Sequence, residues 1–218
     1  ASTIPKDLDR PRSSEVTAFL QKTRAIQTVT RRQARLIFAL DATASREPTW
    51  AQARALHGEL FGAAAAETSL AVQLCYYRGH AEFRASEWLT HSSALLDQMA
   101  GVTCLAGATQ IGRLIKHALQ AGSVNQPVRA LVFVGDASMS PYEIMQPGGS
   151  VEHWNEESGE LWMRRLRETY EKCIWINPVP EDEWEYTQSI AITRQLMEGQ
   201  MYPLTLRGLE DGMSFLSK

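Results

Sequence analysis

Five consecutive apolar residues, Leu36 to Leu40, run straight into the more polar stretch Asp41-Ala42-Thr43-Ala44-Ser45. An apolar run without polar alternation predicts a strand buried on both faces, the kind found in a parallel sheet. Ser69–Tyr77 (SLAVQLCYY) and Val128–Val134 (VRALVFV) also read as strands, and Cys173–Ile176 as a shorter one closed by Asn177-Pro178. Met201–Leu206 is the last strand, and Pro203 assigns it to an edge, where no ladder bond needs its N–H. Arg78-Gly79-His80 turns the chain into AEFRASEW, whose alternation predicts a short antiparallel edge strand.

Between the strands the apolar spacing changes to the helical period. Residues 1–14 read as a flexible leader, and from Glu15 the residues Val16, Phe19, Leu20 and Ile26 predict a short docking helix. Thr49-Trp50-Ala51-Gln52, after Pro48, has the form of a capping box and starts a helix turning Leu56, Leu60 and Phe61 to the core. A helix over His91–Met99 leads into the loop Gly101–Thr109. Ile111, Leu114, Ile115, Ala118 and Leu119 then form one stripe, stopped by Gly122. Further helices are predicted over Glu156–Tyr170, Ser189–Met197 and Leu209–Leu216, the second of them ended by Gly199. Residues 137–153, with Pro141, Pro147, Gly148 and Gly149, read as one long loop, a feature usually functional or mobile in a compact domain. Strands alternating with helices give an α/β fold with a mostly parallel sheet and right-handed crossovers, and residues 15–218 read as a single domain.

Composition narrows the function classes. Of 218 residues 44% are apolar and 22% charged, enough to bury a full core. A formal net charge of -3 without a basic run gives no support to a nucleic-acid or anionic-membrane partner. No apolar stretch approaches the length of a membrane span, and the polar, Pro-containing start Ala1–Arg12 is unlike a signal peptide. Cys75, Cys104 and Cys173 have no CxxC spacing, and two of them sit in strand-like runs. Buried free thiols in a reducing cytoplasm are the expectation.

The candidate chemistry lies at the strand ends. In open α/β sheets ligands bind outside the carboxyl ends of the strands, where the strand order reverses. Two buried strands run into aspartates, Asp41 and Asp136, and if those strands are neighbours both carboxylates enter one crevice. Thr109, just before a strongly patterned helix, can reach it too. Two carboxylates at about 4 Å repel by about 4 kcal/mol at an effective dielectric of 20, a penalty that a bound cation removes. Asp41, Thr43 and Ser45 offer only oxygen, the donor that hard divalent cations such as Mg²⁺ prefer. The bland alternative is that these residues merely cap helices and line a crevice without an ion.

Taken together, Asp41-x-Thr43-x-Ser45, Thr109 within Gly107-Ala108-Thr109, and Asp136 within Gly135-Asp136 resemble the metal-ion-dependent adhesion site of von Willebrand factor A domains. Thr43 stands where Ser is commoner, and Ala108 where a second Gly is frequent. The resemblance implies a Rossmann-like, doubly wound sheet of six strands in the order 3-2-1-4-5-6, with one antiparallel edge and helices on both faces. It implies that the hydroxyls of Thr43, Ser45 and Thr109 contact Mg²⁺, with Mn²⁺ or Ca²⁺ as alternatives, while Asp41 and Asp136 act largely through water. A Glu or Asp of a partner protein would complete the coordination shell. The likeness comes in two pieces that meet at the fourth strand. Residues 14–136 (RLIFALDATASREPTW, VQLCYYRG, TQIGRLI, ALVFVGD) are similar to a group of bacterial cytoplasmic A-domain proteins. Residues 135–218 (GDASMSPYEI, PGGSVEHWNEESG, WINPVPEDEWEYTQSI, MYPLTLRGLE) are similar to CoxE-like A-domain proteins, which are linked with MoxR-type AAA+ ATPases and metalloenzyme maturation. A natural recombinant, a separate lineage or an assembled chimera gives such a join.

The expectation is a non-enzymatic, Mg²⁺-dependent protein-binding domain whose partner is an AAA+ ATPase or its client, with loop 137–153 conferring selectivity. One alternative is a Mg²⁺-dependent phosphohydrolase with Asp41 as nucleophile, although its usual acid/base carboxylate two residues on is replaced by Thr43. Another is a scaffold with an idle metal site. No P-loop, GxGxxG or GxSxG pattern occurs. Glu152 and His153 read as solvent-facing loop residues before partner contacts, Trp154 as a recognition candidate, and the other tryptophans as packing. His117 reads as complementing its helix dipole, and Arg164, Arg165 and Arg167 as a solvated helix face.

Overall fold

The computed structural model describes residues 34–56, 70–107, 109–122, 128–136, 142–145, 151–154, 156–170 and 172–217. The leader and the helix expected over residues 1–33, and the core positions Leu60 and Phe61, lie outside them.

Strand β1 (Ala34–Asp41) is central, with β2 (Leu70–Arg78) parallel on one side and β4 (Ala130–Val134) parallel on the other. Strand β3 (Glu82–Ala85) runs antiparallel to β2 at one edge, while β7 (Lys172–Asn177) and β8 (Met201–Pro203) extend the sheet in parallel beyond β4. The order β3-β2-β1-β4-β7-β8 is 3-2-1-4-5-6 when counted within the sheet. The expected doubly wound sheet with one antiparallel edge is the observed one, and Pro203 does lie in the edge strand.

Alternation along β1 explains why its sequence shows no polar positions. Ile37 and Ala39 join one core, Leu36, Phe38 and Leu40 the other, and helices cover both. On the first face α3 (Ile111–Gly122), α4 (Glu156–Thr169) and α5 (Gln188–Leu196) supply Leu114, Ile115, Met163, Leu166 and Ile190. On the second, α1 (described over residues 47–56), α2 (Ser92–Ala100) and α6 (Leu206–Ser217) supply Trp50, Leu95, Met99 and Leu209.

Several local expectations are corrected. A 3-10 turn, Ala44–Arg46, precedes α1, which starts at residue 47. Pro48 therefore occupies the first turn, where its missing N–H breaks no helical bond, and Thr49 is buried in the helix instead of capping it. The last strand stops at Pro203 because Thr205 caps α6, its Oγ1 accepting from the Gly208 N–H at 3.1 Å. A Cβ on Gly208 would lie 2.1 Å from the Pro203 carbonyl oxygen, so only glycine allows this approach. In place of the one long loop expected over residues 137–153, two strands, β5 (Tyr142–Met145) and β6 (Val151–Trp154), pair antiparallel, Tyr142 opposite Trp154 and Glu143 opposite His153. The tetrapeptides YEIM and VEHW are too short for sequence alone to mark them as strands. The side chains of Glu152, His153 and Trp154 lie outside the described residues.

His117 does not serve the helix dipole. Its ring is half-buried against Phe83, and its Nε2 lies 2.8 Å from Gln73 Oε1. Arg167, too, leaves the solvated face: its Nη1 donates to the Leu196 carbonyl at 2.9 Å and its Nη2 pairs with Glu198. All three cysteines are free, Cys75 and Cys173 buried and Cys104 half-buried. Among the described residues no helix is long and apolar enough to cross a membrane.

Candidate metal centre

The parallel register decides which side chains meet at the carboxyl end of the sheet. Leu40 pairs with Val134, so Asp41 stands level with Gly135 and Asp136 lies one residue further along. On the other side Asp41 pairs with Tyr77. The ends of β2, β1 and β4 thus lie side by side where the strand order reverses.

Asp41 is 3% exposed, the one buried carboxylate among the described residues. One carboxylate oxygen, Oδ1, accepts from the Thr43 N–H at 2.8 Å, and the side chains of Thr43 and Tyr77 also hydrogen-bond this carboxylate. Its backbone is fixed from behind, since Trp50 Nε1 donates to the Asp41 carbonyl at 2.7 Å and the Ala42 N–H donates to the Tyr77 carbonyl at 3.0 Å. Trp50 is itself locked edge-on against Tyr76. Burial pushes the Asp41 carboxyl above the ordinary carboxylate range. The Asp136 charge adds to the rise, and the bonds from Thr43 and Tyr77 partly offset it. A charged Asp41 is therefore held at a cost that a nearby cation would relieve.

The remaining positions sit around it. Thr43 is buried and Ser45 exposed, at the start of the turn into α1. Asp136 is 39% exposed and pairs with Arg46, whose Nη2 is 3.1 Å from its Oδ2. The Nε of Arg46 in turn donates to Ser45 Oγ at 3.3 Å. Thr109 is half-buried two residues before α3, and its loop is tied to the carboxyl end of the sheet by its neighbours. The Leu105 N–H donates to the Ala42 carbonyl at 3.0 Å, and buried Gln110 donates through Nε2 to the Gly79 carbonyl at 3.0 Å. Gly107 packs so closely on Gly79 that a Cβ would lie 1.9 Å from the Gly79 oxygen. A direct bond thus joins Asp41 to Thr43, Arg46 joins Ser45 to Asp136, charge couples Asp41 with Asp136, and Thr109 is placed through the bonds of its loop neighbours.

Sequence reasoning missed Arg46, Tyr77 and Trp50. Arg46 directly follows Ser45, whereas Tyr77, near the end of β2, meets Asp41 only through the β1–β2 pairing. Trp50 could be found only from the fold, because it lies nine positions after Asp41, beyond a loop and a 3-10 turn.

No protein-family model and no curated protein matches the chain. Solved structures do. The pilus adhesin SpaC from Lactobacillus rhamnosus GG superposes with a TM-score of 0.58 at 6% identity, covering 85% of this chain and 30% of that one. A von Willebrand factor type A protein from Catenulispora acidiphila gives 0.55 at 11% identity, covering 85% of this chain and 42% of that one. The PilB minor pilin from Streptococcus sanguinis gives 0.54 at 13% identity, covering 85% and 60%. The chain thus spans 30% to 60% of the length of these proteins, and at such identities the likeness concerns architecture alone. The six-stranded order and these superpositions together give the chain the α/β fold of a von Willebrand factor A domain.

Proposed function

We propose that this chain is a divalent-cation-dependent protein-binding domain. Asp41, Thr43, Ser45, Thr109 and Asp136 hold one Mg²⁺, for which Mn²⁺ or Ca²⁺ can substitute, and an acidic side chain of a partner protein completes its shell. The observation that carries this reading is the buried Asp41 carboxylate, raised in pKa, with a second carboxylate close enough to oppose its ionisation. The donors around it fit the ion: two carboxylates and three hydroxyls are hard oxygen ligands, few enough in charge for Mg²⁺ to keep several waters. Bound there, the ion supplies positive charge for an incoming carboxylate. The chain's own part is to orient Asp41 through Thr43 and Tyr77 and to hold the Thr109 loop against β2. A fold shared with a pilus adhesin supports binding over catalysis. By the resemblance of residues 135–218, a MoxR-type AAA+ ATPase or its client is the partner class to test first.

Calorimetric titration with Mg²⁺ tests the site. Wild type binds one ion and Asp41→Ala binds none; no heat with wild type, or unchanged binding by the variant, refutes the reading. A phosphatase screen in Mg²⁺ separates the enzymatic alternative, which requires turnover that Asp41→Asn abolishes.

A further inference from the structure

A cation belonging to the chain itself stands among the proposed ligands. Arg46 ends the turn Ala44–Arg46 that follows Thr43, and its guanidinium reaches both Asp136 Oδ2, at 3.1 Å through Nη2, and Ser45 Oγ, at 3.3 Å through Nε. Its side chain is only 17% exposed, so this is an ordered contact and not a surface arginine passing by. Two of the five proposed metal ligands are thus engaged by one fork of donors, a geometry that Arg makes well and Lys does not.

We propose that Arg46 is a built-in latch, competing with the divalent ion for Asp136 and Ser45 and so setting the metal concentration at which the site loads. The inference rests on the metal-site reading above. A guanidinium stays charged throughout the accessible pH range, so while Asp136 is ionised the latch is released by another cation that competes for it. Mg²⁺ seated between Asp41 and Asp136 offers Asp136 twice the charge in a smaller sphere, and its charge repels the guanidinium. Arg46 therefore leaves Asp136 as the ion enters. Asp136 is the ligand on which this exchange turns, because Asp41 takes its bonds from Thr43 and Tyr77.

Mg²⁺ titration of wild type, Arg46→Gln and Arg54→Gln tests the latch. Arg54, on the following helix α1, pairs with Glu47 at 3.7 Å and serves as a control for simple loss of one positive charge nearby in the chain. A partly exposed ion pair is worth up to about 1 kcal/mol, so Arg46→Gln is expected to bind Mg²⁺ about fivefold more tightly than wild type, and Arg54→Gln within about twofold of it. In chelator Arg46→Gln melts below wild type, because Asp136 has lost its partner; in saturating Mg²⁺ the difference disappears. The Arg46 Nε–Hε resonance in wild type shifts over the same titration. Equal Mg²⁺ affinity in wild type and Arg46→Gln, weaker binding by Arg46→Gln, or an equal gain in Arg54→Gln overturns the latch while leaving the metal site standing. Mg²⁺ binding by none of the three removes the site itself, and the latch with it.

Discussion

Asp41 and Asp136 leave the sheet from adjacent parallel strands, one residue out of level, and burial, with the charge of Asp136 adding to it, raises the pKa of Asp41. Nothing in a folding core favours such a pair. Burial already penalises the Asp41 charge, and the second carboxylate adds to the penalty. Arg46 already offsets part of the Asp136 charge, and a positive charge that also reached Asp41 would relieve the rest.

That balance predicts a trade-off in Asp41→Asn. An aspartate whose folded pKa is raised loses stability as pH rises through that pKa, so at neutral pH ionised Asp41 costs the fold free energy. The amide keeps an oxygen to accept from the Thr43 N–H and carries no charge. In chelator the variant is expected to melt above wild type. In Mg²⁺ the order reverses, since metal at about a hundred times its dissociation constant adds about 2.7 kcal/mol to a competent site and nothing to the variant. A melting curve of each protein with and without Mg²⁺ is sufficient; a variant that gains as much from Mg²⁺ as wild type does would count against Asp41 as a ligand.

Gly107→Ala tests the placement of Thr109. The new Cβ would meet the Gly79 backbone at 1.9 Å, a clash that no side-chain motion relieves, so the loop must move. Overpacking of this kind costs about 1–3 kcal/mol. Denaturant unfolding is expected to show that loss, and titration is expected to show weaker Mg²⁺ binding, because Thr109 lies two residues downstream. Unchanged Mg²⁺ affinity in a destabilised variant would detach Thr109 from the site.

His117 gives the fold an acid sensitivity. Gln73 donates through Nε2 to the Ser86 carbonyl at 2.9 Å, so its Oε1 faces His117 as an acceptor and the imidazole Nε2 carries the proton. Burial lowers the His117 pKa below its ordinary value. The unfolded chain therefore binds the proton more readily than the folded one. The contribution is complete above about pH 6.5 and is lost as pH falls through that value toward the folded pKa. Stability measured at pH 7.5 and pH 5 is expected to drop less in His117→Gln, which keeps a donor for Gln73, than in wild type. Parallel losses in the two proteins would show that His117 carries none of this dependence.

The three cysteines are expected to resist modification. Burial pushes Cys75 and Cys173 up to about 12, and Cys104 reaches about 12 through burial and a hydrogen bond to Glu47. With so little thiolate, reaction with an aromatic disulfide near pH 8 is expected to run about a hundredfold slower in the native protein than in denaturant. Fast labelling of one native thiol would point to Cys104 and to an opening of the loop that carries it.

Much of this was legible in the chain, for a physical reason. A strand buried on both faces admits no polar residue, so Leu36–Leu40 announces both its conformation and its central place, and the first polar residue after it marks the sheet edge. The same logic placed Asp136 and the order of elements. What stayed hidden depends on pairings between distant segments. Thr49 satisfies a capping-box pattern, yet the helix starts two residues earlier because the preceding turn already directs the chain into it. YEIM and VEHW are too short to announce strands until they pair with each other. His117 has the look of a helix-end histidine until Gln73 and Phe83, both from the far side of a strand connection, are seen beside it. Arg46 sat in view next to Ser45, but its bond to Asp136 spans ninety residues of sequence and exists only because β1 and β4 are neighbours.

Anomalous diffraction from a crystal grown with Mn²⁺ in place of Mg²⁺ addresses the centre of the account directly. A single strong peak is predicted at the carboxyl end of the sheet, between Asp41 and Asp136 and in contact with the hydroxyls of Thr43, Ser45 and Thr109. A crystal with Mn²⁺ elsewhere, or with no peak there at saturating metal, would contradict it.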